Sequence, residues 1–173
     1  RWQLEQELLT TLADFPGPVL YVTHDREEAR RICHRVCVIH HGATQPTVAT
    51  EQWYHHPETM IAAQLAGFEN LSPVQRLDNG YARITAWNAL WPCENREATG
   101  VAFRAQDVRP AKPGEDFMLP CRIVRTTEQE SIVTPLDRPG ERIRACGGLE
   151  GSEGEWVRLG VHKDKIVWFH REG

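Results

Sequence analysis

Apolar residues near the start of the chain recur at the spacing of one helix face, which predicts a helix over residues 1–13. The residues of this face are Leu4, Leu8, Leu9 and Leu12. Residues 15–18 read Phe-Pro-Gly-Pro and end the helix, because proline cannot continue it. Residues 19–22 are all apolar or aromatic, which predicts a short strand that is buried on both faces.

A polar segment follows this predicted strand. Asp25 is expected to cap the next helix, and Glu27 and Glu28 fall in its first turn, where the helix dipole favours negative charge. The helix is predicted from Arg26 to about Ile32. A histidine, His24, therefore stands at the carboxyl end of the strand, which is the edge of an open α/β sheet where ligands bind.

Residues 36–39 predict a further strand, and residues 50–66 predict one or two short helices that are broken at His55-His56-Pro57, with Thr50 as a cap and Trp53 facing inward. One helix–strand unit with one more strand cannot cover both faces of a parallel sheet. The first 66 residues are therefore expected to belong to a larger α/β domain. The chain opens directly in helical pattern without Met, which fits a piece of a longer protein.

From Gly67 onward the helical period gives way to short alternating segments between turn signals, Asn79-Gly80 among them. Strands are predicted at residues 71–77, 81–87, 100–104, 121–125, 131–134, 142–146, 155–161 and 165–169. About eight strands at this spacing predict a small barrel or sandwich. The predicted fold is thus an α/β fragment, residues 1–66, followed by an all-β small barrel, residues 67–173.

Composition narrows the function classes. The chain has 173 residues and a formal charge of −4, which gives no electrostatic footprint for nucleic acid. It contains no apolar run long enough to span a membrane. The five cysteines lack CxxC spacing, which favours a reduced compartment, and Cys33 and Cys37 are expected to be small buried apolar residues. The pairs His40-His41 and His55-His56 lack the spacing of a zinc site, so no metal site is predicted.

Residues 22–29, Val-Thr-His-Asp-Arg-Glu-Glu-Ala, resemble the H-loop (switch region) of ABC-transporter ATPases. The resemblance is specific over residues 19–71. It continues through residues 36–39 with His41-Gly42, and through residues 51–54, Pro57, Ala62-Ala63, Gly67 and Asn70. His34 stands where the family usually has Asp. This resemblance implies the closing part of an importer ATPase domain.

The rest of the chain resembles, more weakly, the appended TOBE-type barrel of importer ATPases, an OB-like fold. Residues 103–108 keep the family's Arg and Asp as Arg104 and Asp107, whereas Ala105 and Gln106 replace Pro and Glu. Residues 157–159 and 166–169 also fit the pattern. The Ser-x-Arg-Asn loop of a molybdate-binding module is absent from the sequence.

The resemblance carries over one catalytic residue, His24, which would hydrogen-bond the γ-phosphate of ATP, while Thr23 and Asp25 would position it at the cofactor. The phosphate loop GxxxxGK[ST], the Leu-Ser-Gly-Gly-Gln signature and a strand ending in Asp-Glu are absent from the chain. ATP and Mg²⁺ are therefore expected in the intact parent protein. This chain alone is expected to bind no cofactor and to hydrolyse no ATP.

The resulting hypothesis is the C-terminal portion of an ABC importer ATPase with a regulatory barrel. Its partners would be a second ATPase subunit, as a homodimer, and a membrane permease, and its location would be the cytoplasmic face of the cell membrane. The transported solute is expected, weakly, to be an inorganic anion. The alternative is a stand-alone module whose barrel holds a small oxyanion. A nucleic-acid binder that stacks bases on Trp87, Trp91, Trp156 or Trp168 is disfavoured by the acidic balance and by core packing.

Overall fold

A computed structural model of the protein describes the backbone of residues 2–170 and the side chains of residues 6–170. The α-helices are α1 (Trp2–Ala13), α2 (Arg26–Ile32), α3 (Thr50–His55) and α4 (Met60–Leu65). The strands are β1 (Arg35–Val36), β2 (Ile39–His40), β3 (Ala43–Thr44), β4 (Val48–Ala49), β5 (Asn70–Arg76), β6 (Tyr81–Ile84), β7 (Ala89–Pro92), β8 (Gly100–Phe103), β9 (Val108–Pro110), β10 (Met118–Thr126), β11 (Glu130–Pro135), β12 (Ile143–Cys146), β13 (Trp156–Val161) and β14 (Val167–Phe169). Within this described range, every helix falls short of the length and apolar character that a membrane span requires.

The first helix forms where the leucine spacing predicts it. Leu8, Leu9 and Leu12 of α1 are each half-buried. Arg1 and the side chain of Leu4, which complete that prediction, lie outside the described residues. None of the described α1 side chains joins the buried core, so the apolar face of this helix is only partly covered.

The strand predicted for residues 19–22 is wrong for this chain. These residues have no regular secondary structure and pair with no strand of the described range. Leu20 is 91% exposed and Val22 is 81% exposed. A parallel strand needs hydrogen-bonded neighbours and two covered faces, and the described residues provide neither at this point. The α/β part of the predicted fold class is therefore not formed as a sheet with flanking helices.

The apolar run at residues 36–39 forms parts of two hairpins instead of one strand. β1 pairs antiparallel with β4, and β2 pairs antiparallel with β3 across a tight turn at His41-Gly42. His41 has φ 48° and Gly42 has φ 77°, the left-handed conformation that a two-residue hairpin turn requires. The segment therefore makes a small antiparallel layer.

Two short helices follow this layer, as predicted; they are separated at residues 56–59, whereas the sequence predicts the break at His55-His56-Pro57. Trp53 of α3 faces inward and is 4% exposed, as predicted. The prediction that Thr50 caps α3 is wrong, because Ala49 occupies the N-cap without a side-chain hydrogen bond. Thr50 is buried, and its Oγ1 donates to the carbonyl oxygen of Cys33 at 2.6 Å, which ties α3 to the end of α2.

The ten strands β5–β14 form two five-stranded antiparallel sheets around one core. The first sheet has the order β14-β8-β5-β6-β7, and the second has the order β12-β11-β10-β13-β9. In the second sheet the outer strands β12 and β9 lie beside each other, so the sheet nearly closes on itself. The β-rich half is therefore consistent with the predicted small barrel.

Two strands of this half, β7 and β9, are absent from the prediction. Each is short and ends in a proline, Pro92 or Pro110, which cannot donate to a ladder and masks the strand pattern. The predicted Asn79-Gly80 turn is confirmed, since Gly80 has φ 81° and the backbone N–H of Leu77 donates to the Tyr81 carbonyl at 2.9 Å.

Aromatic side chains fill the barrel core. The ring centroids of Trp87 and Trp91 lie 5.0 Å and 5.9 Å from that of Phe103. The indole Nε1 of Trp91 donates to the Met118 carbonyl at 3.2 Å, so this buried donor is satisfied. Of the four tryptophans considered for base stacking, only Trp156 is largely exposed, at 66%. Core packing of Trp87 and Trp91 is thus confirmed.

A second buried cluster joins the helices to the barrel. It unites small residues of the α4 segment, such as Ala63 and Ala66, with Ala102 of β8 and Phe169 of β14. The helices therefore share a core with the first barrel sheet. The domain boundary between residues 1–66 and 67–173 stays a prediction.

Candidate functional site

The candidate site is the turn that precedes α2. Thr23 Oγ1 accepts the backbone N–H of Asp25 at 3.0 Å and donates to Glu28 Oε2 at 2.8 Å. Asp25 Oδ1 accepts the backbone N–H groups of Glu27 and Glu28 at 2.9 Å and 3.1 Å. The predicted N-cap is confirmed, and the turn is fastened to the first turn of the helix.

His24 lies between these two anchored residues. Its side chain is exposed, and in the described part of the chain no hydrogen bond or ion pair to it is found. The imidazole has one donor and one acceptor nitrogen when neutral and two donors when protonated. The turn therefore fixes the backbone on both sides of a histidine whose side chain remains available to a group outside it.

Thr23 and Asp25 use their side chains within the protein. The hydrogen bonds of Thr23 Oγ1 and Asp25 Oδ1 go to residues of the turn and of the first turn of α2. This geometry suits these two side chains for positioning His24 better than for direct contact with a cofactor. Tyr21 adds to the same arrangement, because its hydroxyl donates to Glu28 Oε2 at 3.1 Å. The Glu28 carboxylate thus accepts from Tyr21 and Thr23, and its backbone N–H donates to Asp25. The sequence pattern did not reveal this role.

Arg104 fastens the barrel to the helices. Its guanidinium donates to the Ala66 carbonyl at 2.9 Å and to the Tyr54 carbonyl at 2.7 Å. The same group lies 4.2 Å from the ring centroids of Tyr54 and of Phe68. The Arg30 guanidinium of α2 also lies 4.2 Å from the Tyr54 ring centroid. A chain of contacts therefore runs from α2 through Tyr54 to the barrel.

Burial shapes the charges at this contact. Burial lowers the pKa of Arg104, although an arginine stays cationic at neutral pH. Burial raises the pKa of Asp107, while the charges of Lys165 and Arg104 act in the opposite direction. Glu69 accepts the backbone N–H of Ala105 at 2.9 Å. Arg104 thus has a structural role at the helix–barrel contact, and Asp107 lies close enough to Arg104 and Lys165 for their charges to act on it.

Barrel cations that could attract an oxyanion are partly paired. Arg109 and Glu115 form an ion pair, and the hydrogen bond from Arg109 lowers the pKa of Glu115 to about 2. A second ion pair joins the Arg125 guanidinium nitrogen Nη2 to Glu130 Oε1 at 2.6 Å. In residues 2–170, no contact identifies an oxyanion site on the barrel.

The described histidines and cysteines form neither a metal site nor a disulfide. Among the described residues, no group of three or more His, Cys, Asp or Glu side chains could hold a metal ion. All five cysteines are free thiols. Cys33 is half-buried, whereas the prediction of burial is wrong for Cys37, which is exposed and whose Sγ donates to the Gln45 carbonyl at 3.2 Å.

No protein-family model matches the chain. It is similar to the spermidine/putrescine import ATP-binding protein 2 of Pseudomonas aeruginosa, at 31% identity over 148 residues, which are 84% of this chain and 38% of the relative. It is also similar to the spermidine/putrescine import ATP-binding protein of Chromobacterium violaceum, at 31% identity over 69% of this chain and 34% of the relative.

A third similar protein is the Fe(3+) ions import ATP-binding protein of Haemophilus influenzae, at 27% identity over 56% of this chain and 27% of the relative. The chain spans about a third of the length of the curated relatives that it matches. These similarities agree with the resemblance to importer ATPases of the ABC family.

Proposed function

We propose that this chain, a homologue of ABC importer ATP-binding proteins, is the C-terminal portion of the ATP-hydrolysing subunit of such an importer. The observation that carries the proposal is the turn before α2. Its hydrogen bonds fix Thr23 and Asp25 and leave the His24 imidazole exposed and available. In the intact subunit, His24 would donate a hydrogen bond to the terminal phosphate of ATP.

ATP and Mg²⁺ are proposed for the intact protein. An exposed imidazole donor fits a phosphate oxygen, and bound Mg²⁺ would supply neutralisation of phosphate charge. The phosphate loop and the catalytic carboxylate would come from sequence that this chain does not contain. We therefore expect the chain alone to hydrolyse no ATP, with Thr23 and Asp25 acting as positioning residues for His24.

The barrel is proposed to be a TOBE-type regulatory module of OB-like form. The nearly closed second sheet, in which β13 lies between β10 and β9, supports this. The proposed partners are a second copy of the ATPase subunit and a membrane permease, at the cytoplasmic face of the cell membrane. The names of the relatives, which concern spermidine/putrescine and Fe(3+), support a cationic solute over the inorganic anion expected from the sequence.

Replacement of His24 tests the proposal in the intact subunit. His24→Ala is expected to lower ATP turnover about 100-fold or more, the loss typical when one preorganised hydrogen-bond donor is removed. ATP affinity, measured by isothermal titration calorimetry, is expected to change much less. Because the His24 side chain is exposed, circular dichroism is expected to show an unchanged fold.

His34→Ala is the matched control, since His34 is also exposed and follows the same helix. Equal ATP turnover in the two variants would contradict the proposed role of His24. The alternative, a stand-alone oxyanion module, would instead require that sulfate, phosphate or molybdate bind the barrel of the isolated chain while His24→Ala leaves every measured activity unchanged.

A further inference from the structure

A pocket of about 270 Å³ lies between the hairpin strands β1–β4 and the helices α3 and α4. Its wall is largely apolar and includes Val36, Val38, Val48, Trp53 and Ala62. The volume is near the small end of the range for small-molecule sites, about 300–1,000 Å³. None of the residues of the His24 turn lines this pocket.

Two buried hydrogen-bond donors belong to the same pocket. Among the described residues, Gln45 Nε2 and Trp53 Nε1 are buried and have no acceptor. Trp53 itself is 4% exposed, so water does not compensate its indole N–H from outside. Buried polar atoms in folded proteins almost always have partners. The coincidence of both exceptions in one pocket therefore indicates a missing acceptor.

The side chain of Gln45 is held in place from its other end. Its Oε1 accepts from Thr59 Oγ1 at 3.0 Å, and its backbone N–H donates to the Val38 carbonyl at 2.8 Å. Thr59 Oγ1 in turn accepts the backbone N–H of Ala62 at 3.1 Å, which caps α4. This arrangement leaves the amide N–H₂ of Gln45 for another partner. An indole N–H can only donate, so both groups require an acceptor oxygen.

We propose that this pocket binds a small neutral molecule with an apolar body and a carbonyl oxygen, which accepts hydrogen bonds from Trp53 and Gln45. The lining contains no Lys or Arg. Its basic groups are the imidazoles of His40 and His56, and Glu58 contributes a carboxylate. A carboxylate ligand would be buried there without a permanent cation, which is unfavourable, whereas a neutral carbonyl suits two uncharged donors. Because both nitrogens are covered, binding also shifts side chains of the pocket.

Acetophenone, benzoate and toluene form a matched set of probes that offer a neutral carbonyl, a carboxylate and no acceptor. Each is titrated into protein labelled with ¹⁵N-tryptophan, and the indole N–H resonances are followed by NMR. Trp53→Phe identifies the Trp53 resonance. Acetophenone is expected to shift this resonance saturably, with a dissociation constant at least five-fold lower than those of toluene and benzoate.

Gln45→Leu keeps the apolar bulk of the side chain and removes one of the two donors, so it is expected to weaken acetophenone binding and to leave toluene binding unchanged. Trp156→Phe, at an exposed tryptophan on the barrel, is expected to change no affinity. Equal affinities for acetophenone and toluene in the unmodified protein, tighter binding of benzoate, or no saturable shift near the solubility limit of acetophenone would each overturn the proposal. These outcomes are independent of His24 and ATP turnover.

Discussion

At the scale of single residues, Arg104 does more for the fold than its position just after strand β8 suggests. Its guanidinium reaches the carbonyls at the ends of both short helices, Tyr54 of α3 and Ala66 after α4. It also covers the rings of Tyr54 and Phe68. Because a carbonyl group accepts a charged donor strongly and loses its partner when that donor is removed, this residue is sensitive to substitution.

Arg104→Ala is expected to lower the free energy of unfolding by about 3 kcal/mol, since two hydrogen bonds from a charged group and the ring contacts are lost. Arg104→Lys keeps the charge but cannot reach two carbonyls with a planar fork, so an intermediate loss is expected. Urea denaturation followed by circular dichroism measures both changes. Arg83→Ala, at an exposed position of β6, serves as the control, and equal losses at positions 83 and 104 would refute this role.

At the scale of secondary-structure elements, the success of the sequence-based predictions depends on whether the stabilising partners are local. α2 begins where Asp25 predicts it, because an N-cap binds backbone groups two and three residues away. The strand at residues 19–22 fails because its hydrogen-bond partners are distant in sequence and the described chain provides none. Thr50 fails as a cap because its hydroxyl binds the distant Cys33 carbonyl.

The same distinction applies to the candidate sites. His24 could be identified from residues 22–29, since the motif and its capping turn are contiguous in sequence. The pocket donors Gln45 and Trp53 could not, because their relation follows only from the packing of the hairpins on α3 and α4. A glutamine near a turn and a tryptophan on an apolar face carry no signal of a shared pocket by themselves.

Thr59 is an element-scale test, since its hydroxyl caps α4 and also binds Gln45. Thr59→Ala is expected to lower the free energy of unfolding by about 1–2 kcal/mol, because the helix loses its cap and the Gln45 oxygen loses its donor. Thr59→Ser keeps the hydroxyl and is expected to cost less than half as much. Thermal unfolding of the unmodified protein, Thr59→Ala and Thr59→Ser measures these differences in the free energy of unfolding. If Thr59→Ser and Thr59→Ala lower the stability equally, the hydroxyl of Thr59 is not the stabilising group.

At the scale of the whole molecule, the buried side chain of Asn70 joins the two barrel sheets, in addition to the shared core and the hydrogen bond from Trp91 of β7 to Met118 of β10. Asn70 of β5 is 2% exposed, and its side chain bridges to β12 of the other sheet. Its Nδ2 donates to the Arg144 carbonyl at 2.9 Å, and its Oδ1 accepts the Arg144 backbone N–H at 2.8 Å. The Asn70 side chain thus supplies both backbone hydrogen bonds that a neighbouring strand would provide for Arg144.

Asn70→Ala is expected to lower the free energy of unfolding by about 2–4 kcal/mol, because the N–H and the carbonyl of Arg144 lose the partner that the buried Asn70 side chain supplies. The more specific consequence is local. The Arg144 amide is expected to lose its protection from hydrogen exchange, while amides that pair β10 with β13, such as that of Leu159, stay protected up to the global stability. Asn70→Asp retains the acceptor oxygen for the Arg144 N–H and is expected to preserve more of that protection than Ala. Uniform loss of protection at Arg144 and Leu159 would mean that Asn70 contributes only to global stability.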